Sequence, residues 1–154
     1  MDIGFSVFML KLDGIISVDS SQRVRSGFDL VQISQIENSL RQFGQYFKNR
    51  LFTRNELDYA QKGDGLCAER LAARFAAKEA LIKALNLGEA GIGWREIEVV
   101  KRNEGDCELR LHGRVADLAK EIGIVQLVLS LSHDGDYAGA VVVAVVATPR
   151  VQKI

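Results

Sequence analysis

The stretch RLAARFAAKEALIKALNL, residues 70–87, decides the fold of this chain. It is rich in Ala, Leu, Arg, Lys and Glu and contains neither Gly nor Pro, so it predicts a helix of about five turns. Its apolar residues cover a wider face than a surface helix needs, which predicts that this helix is the central one. Glu79 and Lys83 stand one turn apart on it, and in isolation this spacing indicates an ordinary ion pair.

Length and charge restrict the class of protein. A chain of 154 residues forms one domain with its own core. Lys plus Arg equals Asp plus Glu, at 20 each, so no overall charge favours nucleic acid or an anionic membrane. Cys67 and Cys107 lack the spacing of metal ligands and fit free thiols in a reducing compartment, although a disulfide between them stays open. We expect no membrane association and a soluble, cytoplasmic protein.

The first residues are apolar but resemble neither a signal peptide nor a membrane span. Asp2 stands where a signal peptide is basic, Lys11 and Asp13 interrupt the apolar run, and no cleavage site follows. Asp13-Gly14 is a hairpin signal between two β-prone arms. We therefore expect residues 1–23 to be an extra hairpin or a partly disordered leader, and residues 24–154 to be the main domain.

Two capping boxes predict the helices that precede the long one. Residues 24–33 have the composition of a strand, in which a lone carboxylate such as Asp29 usually faces solvent. Ser34 and Glu37 form a capping box that opens a helix to about Lys48. A second box at Thr53 and Glu56 opens a short helix to about residue 61.

The remaining elements complete a mixed architecture. Glycines make residues 86–93 a loop, and Gly123 ends a later helix. The other elements are strands at 97–101, 107–111, 125–132 and 137–147, a helix at 114–122 and a tight turn at 133–136. The fold class is therefore α+β, a mainly antiparallel sheet packed around one long central helix.

Several separated motifs point to one family. GFDLVQI at 27–33, RFAAKEALIKAL at 74–85 and SLSHDGDYAGA at 130–140, with LFT and a Glu at 51–56, occur in that order. From residue 24 to 146 the chain resembles the holo-acyl-carrier-protein synthase type of 4′-phosphopantetheinyl transferase. The resemblance implies transfer of the phosphopantetheine arm of coenzyme A to a serine of an apo carrier protein, with release of adenosine 3′,5′-bisphosphate.

The same resemblance implies a magnesium site at Asp29 and Glu79. Mg²⁺ prefers a few carboxylates and takes water and substrate phosphate oxygens as its other ligands, which suits chemistry on a pyrophosphate. Lys83 can hold a phosphate oxygen or pair with Glu79. The base for the carrier serine is Glu79, directly or through a water, or Asp29, and the sequence does not choose between them.

Five residues are implied as coenzyme A contacts. Ser132 and His133 lie at a turn that borders the nucleotide pocket in similar proteins; the alternative for His133 is a turn residue in solvent. Arg74 is a candidate for the nucleotide, and Lys83 for a phosphate. Lys78 points about 100° away from Glu79 on the helix, so its place in the motif reflects either packing or a phosphate contact.

Three departures from the family pattern concern partners. Gln35 stands where an Arg helps to dock the acidic carrier, so docking is weaker, moves to Arg41, Lys48 or Arg50, or serves another carrier. Gly105-Asp106-Cys107 stands where the pattern has Gly-Lys-Pro, and an anion thus replaces a cation near the expected ligand. The chain also begins before the family pattern does.

The resemblance is compatible with a second function, binding without transfer, and it implies an oligomer. A relative that keeps Asp29 and Glu79 can bind a carrier or coenzyme A without transfer. Short members of the family form trimers with the coenzyme A cleft between subunits, so a homotrimer is implied. Whether the carrier serves fatty acid or polyketide synthesis is not encoded in these motifs.

Overall fold

The structure is a computed structural model, which describes residues 9–11, 14–16, 19–64, 67–103 and 105–148. Seven strands and four α-helices follow one another in these residues, with one 3₁₀ turn at Trp94–Glu96. The strands are β1 (Met9–Lys11), β2 (Gly14–Ile16), β3 (Gln22–Gln32), β4 (Ile97–Lys101), β5 (Cys107–Leu111), β6 (Ile124–Asp134) and β7 (Tyr137–Ala147). The helices are α1 (Ile33–Leu51), α2 (Arg54–Ala60), α3 (Ala68–Leu85) and α4 (Gly113–Ile122).

The central unit is a three-stranded antiparallel sheet in the order β3–β7–β6. Helix α3 packs on one face of this sheet, and its buried side chains belong to the main core. Strands β4 and β5 form a separate antiparallel ladder. The predicted α+β architecture, a mainly antiparallel sheet around one long helix, is confirmed.

Helix α3 lies two residues earlier than predicted. It ends at Leu85 because Asn86 takes a left-handed conformation, φ 56°, which Asn tolerates better than most residues. Strand β3 crosses α3 in backbone contact, since a Cβ at Gly27 would stand 1.9 Å from the carbonyl oxygen of Ala80. Only glycine permits this approach, which brings the strand carrying Asp29 against the helix.

The capping box predicted at Ser34 is wrong. Helix α1 begins at Ile33, and Ser34 donates its N–H (2.9 Å) and hydroxyl (2.6 Å) to the carboxylate of Asp136 in the β6–β7 turn. A distant acid thus satisfies the helix start in place of a local cap. The helix is also interrupted at Gly44 (φ 50°, ψ −125°), a conformation that glycine alone adopts easily.

The second capping box is confirmed. The Thr53 hydroxyl accepts from the Glu56 N–H at 3.3 Å, and Glu56 Oε2 accepts from the Thr53 N–H at 2.8 Å. The strand predicted at residues 125–132 begins with a register shift between Ile124 and Gln126, which leaves Val125 exposed.

The amino-terminal residues are described in part. Strands β1 and β2 pair antiparallel, with Lys11 opposite Gly14. The intervening Asp13, and most of the other residues before position 19, lie outside the described residues. The division of the chain at residue 23 therefore stays a prediction. No described helix has the length and apolar character needed to cross a membrane.

Candidate active site

A cleft of about 460 Å³ opens between strand β3, helix α1 and helix α3. Asp29 enters it from β3, and Glu79 and Lys83 enter it from α3. The fold thus brings Asp29 together with two predicted site residues, Glu79 and Lys83, which lie at least fifty positions later in the sequence. The other lining residues come mainly from α1 and from apolar positions, and they are Leu30, Val31, Gln35, Ile36, Ser39, Phe47 and Phe75.

Lys83 bonds across to the strand. Its Nζ donates to Asp29 Oδ1 at 2.7 Å and to the Phe28 carbonyl at 3.1 Å. The hydrogen bond to Asp29, more than any other effect, raises the pKa of Lys83. The structure therefore pairs Lys83 with Asp29, whereas the spacing on the helix indicated a pair with Glu79.

Glu79 is half-buried beside the Asp29–Lys83 pair. Burial first, and then the negative charge of Asp29, raise the pKa of the Glu79 carboxyl, while the Lys83 cation opposes them. Two carboxylates thus repel each other across one cleft, and a divalent cation between them would remove that repulsion.

This donor set fits Mg²⁺. Within the described residues, no group of three or more His, Cys, Asp and Glu side chains could hold a metal by itself. Mg²⁺ does not need such a group, because it is usually bound by one or two carboxylates together with water and substrate phosphates.

Lys78 and Arg74 do not reach the cleft. Lys78 is 0% exposed, and Nζ donates to the Leu51 carbonyl, to Glu56 and to the Trp94 carbonyl. Of the two alternatives for Lys78, the structure favours packing, and a phosphate contact would break these bonds. Arg74 is 3% exposed, and its guanidinium lies 4.1 Å from the centre of the Tyr59 ring.

Ser132 and His133 are also separated from the cleft within one chain. His133 Nε2 lies 3.3 Å from the carboxylate of Glu69, in the first turn of α3. Glu69 and Glu79 are ten residues apart, about 15 Å along the helix. Ser132 lines a groove of about 270 Å³ together with Phe28 and Leu30, which are on the sheet face opposite α3.

The negative charge of Asp106, which stands where the family pattern has Lys, is compensated locally. Arg102 lies 3.5 Å from the Asp106 carboxylate and 2.7 Å from that of Glu108. The anion is therefore paired with a cation of its own hairpin.

The sequence does not predict two features of the structure near α3. The sequence identifies Glu56 as a capping residue, but its ion pair with Lys78 cannot be predicted from the positions of the two residues in the sequence. The position of Gln35 in the wall of the cleft likewise follows only from the structure.

Comparisons with known proteins identify the family. The family model of the 4′-phosphopantetheinyl transferase superfamily (ACPS) matches residues 25–142, so the chain belongs to this superfamily. A holo-[acyl-carrier-protein] synthase of Gloeobacter violaceus is 43% identical over 118 residues, which cover 77% of this chain and 89% of that protein. The corresponding synthase of Herpetosiphon aurantiacus is 44% identical over 125 residues, covering 77% and 95%.

Solved structures show the same fold. An apo-ACPS structure from Chronobacterium ammoniagenes aligns with a TM-score of 0.73 at 36% identity, over 83% of this chain and 99% of that one. An ACPS–CoA complex from the same organism aligns with a TM-score of 0.71 at 38% identity, over 79% and 96%. The single-unit fold inferred from the motifs is confirmed.

Proposed function

We propose that this protein is a holo-acyl-carrier-protein synthase, which transfers the 4′-phosphopantetheine group of coenzyme A to a serine of an apo carrier protein. One observation carries the proposal: Asp29, Glu79 and Lys83 line one cleft in a member of the phosphopantetheinyl transferase superfamily. Curated relatives named holo-[acyl-carrier-protein] synthase, and an aligned complex with CoA, support the substrates.

The reaction is a displacement at phosphorus. The carrier serine Oγ forms a bond to the phosphorus that bears the pantetheine arm, and the P–O bond of the pyrophosphate breaks to release adenosine 3′,5′-bisphosphate. Glu79, directly or through a water, takes the serine proton, because Asp29 is already engaged by the Lys83 ammonium. Lys83 donates to a phosphate oxygen as negative charge develops there.

Asp29 and Glu79 would hold Mg²⁺ in this reaction. When bound, the ion neutralises charge on the pyrophosphate and on the leaving bisphosphate. The apolar wall of the cleft, which includes Phe47 and Phe75, limits access of water to the reacting groups.

The active unit is an assembly of copies, a homotrimer. Phe28 and Leu30 are 57% and 56% exposed on the sheet face opposite α3, and Tyr137 is 47% exposed beside them. Apolar side chains grouped in this way are typical of an interface. Ser132 lines the same groove, so packing of copies through it would bring Ser132 of one copy to a neighbouring copy. A nucleotide site shared between copies accounts for the separation of Ser132 and His133 from the cleft.

Mass spectrometry of the carrier tests the proposed reaction. The protein is incubated with coenzyme A, Mg²⁺ and apo acyl carrier protein, and the carrier should gain the mass of phosphopantetheine. Asp29→Asn and Glu79→Gln should remove this gain while circular dichroism stays unchanged. Binding of coenzyme A or carrier with no mass gain, across fatty acid and polyketide carriers, would instead support a binding protein without transfer. The proposed function also implies a cytoplasmic location, a reducing compartment in which a thiol such as that of Cys67 persists.

A further inference from the structure

Helix α3 carries a lysine inside the protein. Lys78 and Glu56 are both 0% exposed, and Lys78 Nζ lies 2.8 Å from Glu56 Oε2. Neither residue lines the cleft, although Lys78 precedes Glu79 in the chain. The proposed reaction therefore gives this buried pair no direct role.

The packing of α3 is held on one side by its contact with β3. Gly27 approaches the backbone of Ala80 and Ala84, and Leu71, Leu81 and Leu85 are 0–2% exposed. Most of the other buried residues of the helix are alanines, which offer only a methyl group to interlock with their neighbours. Directional contacts on another side would further limit how α3 can rotate about its axis.

The Lys78–Glu56 pair supplies such contacts on a different side of α3 from Glu79, about 100° around the helix. Lys78 donates to the carbonyls of Leu51 (2.7 Å) and Trp94 (3.1 Å) as well as to Glu56. Glu56 accepts from the N–H groups of Thr53 (2.8 Å) and Val99 (2.9 Å). The ammonium is thus tied to the end of α1, to the 3₁₀ turn and, through Glu56, to the start of α2 and to β4.

Stability alone is a weak explanation for this pair. Replacing a buried ion pair by apolar residues of similar volume is often neutral or stabilising, because both charges must be removed from water. An apolar pair could not, however, replace the three hydrogen bonds that Lys78 donates in fixed directions.

We propose that Lys78 and Glu56 are positioning residues, which set the rotation of α3 and so direct Glu79 into the cleft. The consequence for metal binding rests on the proposed function. Successive residues on a helix point about 100° apart, so fixing Lys78 fixes Glu79. A rotation of about 20° would move a carboxylate about 6 Å from the axis by about 2 Å. Mg²⁺ demands near-ideal octahedral geometry at about 2.0–2.1 Å, so such a shift would weaken binding.

The test replaces the pair without leaving a buried charge. In Glu56→Leu/Lys78→Met the volume is roughly kept and no buried charge remains, but four backbone groups lose their partner, so thermal unfolding and circular dichroism check that the fold is retained. Mn²⁺, a paramagnetic substitute for Mg²⁺, is titrated into protein saturated with coenzyme A, and free Mn²⁺ is measured by electron paramagnetic resonance. We expect binding to be 10- to 100-fold weaker than in the wild type, as for other groups that orient metal ligands. Val115→Ala, in the buried face of α4, is the matched control and should lose stability but keep its Mn²⁺ affinity.

A crystal structure of the double variant gives an independent measurement, since the 2.7 Å contact between Lys83 and Asp29 reports the rotation of α3. Wild-type Mn²⁺ affinity together with an unchanged Lys83–Asp29 contact would overturn the proposal. Equal Mn²⁺ binding by the wild type and Asp29→Asn would instead refute the metal site of the proposed function. In that case the Lys83–Asp29 contact alone decides whether Lys78 and Glu56 position the helix.

Discussion

Lys83 links the two segments of the candidate site. Its aliphatic stem leaves α3 one turn after Glu79, and its ammonium meets Asp29 on β3 at 2.7 Å. About half of the Lys83 side chain is exposed, so solvent screens the pair and its contribution to stability is small. The pair matters because it holds the Lys83 ammonium at the cleft.

Lys83→Met should therefore damage catalysis and leave the fold intact. Loss of a cation aimed at the transferring phosphoryl group should lower kcat about 10²- to 10³-fold, as loss of a comparable preorganised donor does. Steady-state transfer kinetics measure this loss, and thermal unfolding checks stability. Lys120→Met removes an exposed lysine from the last turn of α4 and should leave kcat unchanged. A kcat near the wild-type value in Lys83→Met would contradict the assigned role.

Gln35 lies where we expect the carrier to dock. It is exposed in the wall of the cleft, where a neutral amide cannot make a charge-assisted bond to an acidic partner. Gln35→Arg should lower KM for an acidic carrier roughly tenfold with kcat unchanged, because the added contact binds ground state and transition state alike. Gln42→Arg, exposed on the same helix but outside the cleft, should change KM less. Equal KM values for both variants would show that Gln35 does not limit docking.

At the scale of elements, the contact between β3 and α3 determines whether the two carboxylates can meet. Gly27 touches the backbone of Ala80 and Ala84, and Asp29 stands two residues further along the same strand. A side chain at position 27 would push the strand away from the helix.

Gly27→Ala should destabilise the protein by about 3 kcal/mol or more, because the added methyl overlaps backbone atoms that cannot move aside. Urea unfolding measures this change. The control is Gly139→Ala on the adjacent strand, where the new Cβ meets nothing nearer than Leu30 Cδ1 at 3.5 Å. A loss of stability as small in Gly27→Ala as in Gly139→Ala would refute the close-contact argument.

The link between α1 and the β6–β7 turn predicts an acid-dependent stability. Hydrogen bonds from Ser34, chiefly from its hydroxyl, lower the pKa of Asp136. A carboxyl with a lowered folded pKa stabilises the protein above its ordinary pKa, near 3.9, and this stabilisation is lost as pH falls through the folded value. The melting temperature of Asp136→Asn should therefore depend less on pH below about 4. Asp134→Asn, in the same hairpin, should follow the wild-type curve, and identical curves for all three proteins would exclude the Ser34–Asp136 link.

At the scale of the whole molecule, the sheet has two different faces. One face packs on α3 and carries Asp29 to the cleft, while the other exposes Phe28, Leu30 and Tyr137. A monomer would leave these side chains in water, so we expect copies to associate through them.

Phe28→Asp should break the assembly, because a carboxylate buried in an apolar interface has no partner. Light scattering after size exclusion should give the mass of a trimer for the wild type and a smaller mass for the variant, with transfer activity reduced. Tyr46→Asp alters an aromatic residue of similar exposure on α1 and should leave the mass unchanged. A monomeric wild type that is fully active would overturn the shared site.

Most helices and strands could be predicted from the sequence, which also supplied candidates for the site residues. Helix propensity, hairpin turns and the Thr53 capping box are local, so they could be predicted to within a few residues. The capping prediction at Ser34 failed because a distant group acted: the Asp136 carboxylate satisfied the start of α1. Local sequence patterns do not predict contacts with residues so far away in the chain.

Which charged side chains come into contact depends on the tertiary structure and could not be predicted from local sequence. On the helix Lys83 could pair with Glu79, but the crossing of β3 at Gly27 placed it 2.7 Å from Asp29. Lys78 and Glu79 are neighbours in sequence, yet one is buried against Glu56 and the other lines the cleft. The physical reason is that helical propensity specifies where residues 70–87 form a helix, whereas the rotation and environment of that helix depend on directional contacts with segments far away in the chain.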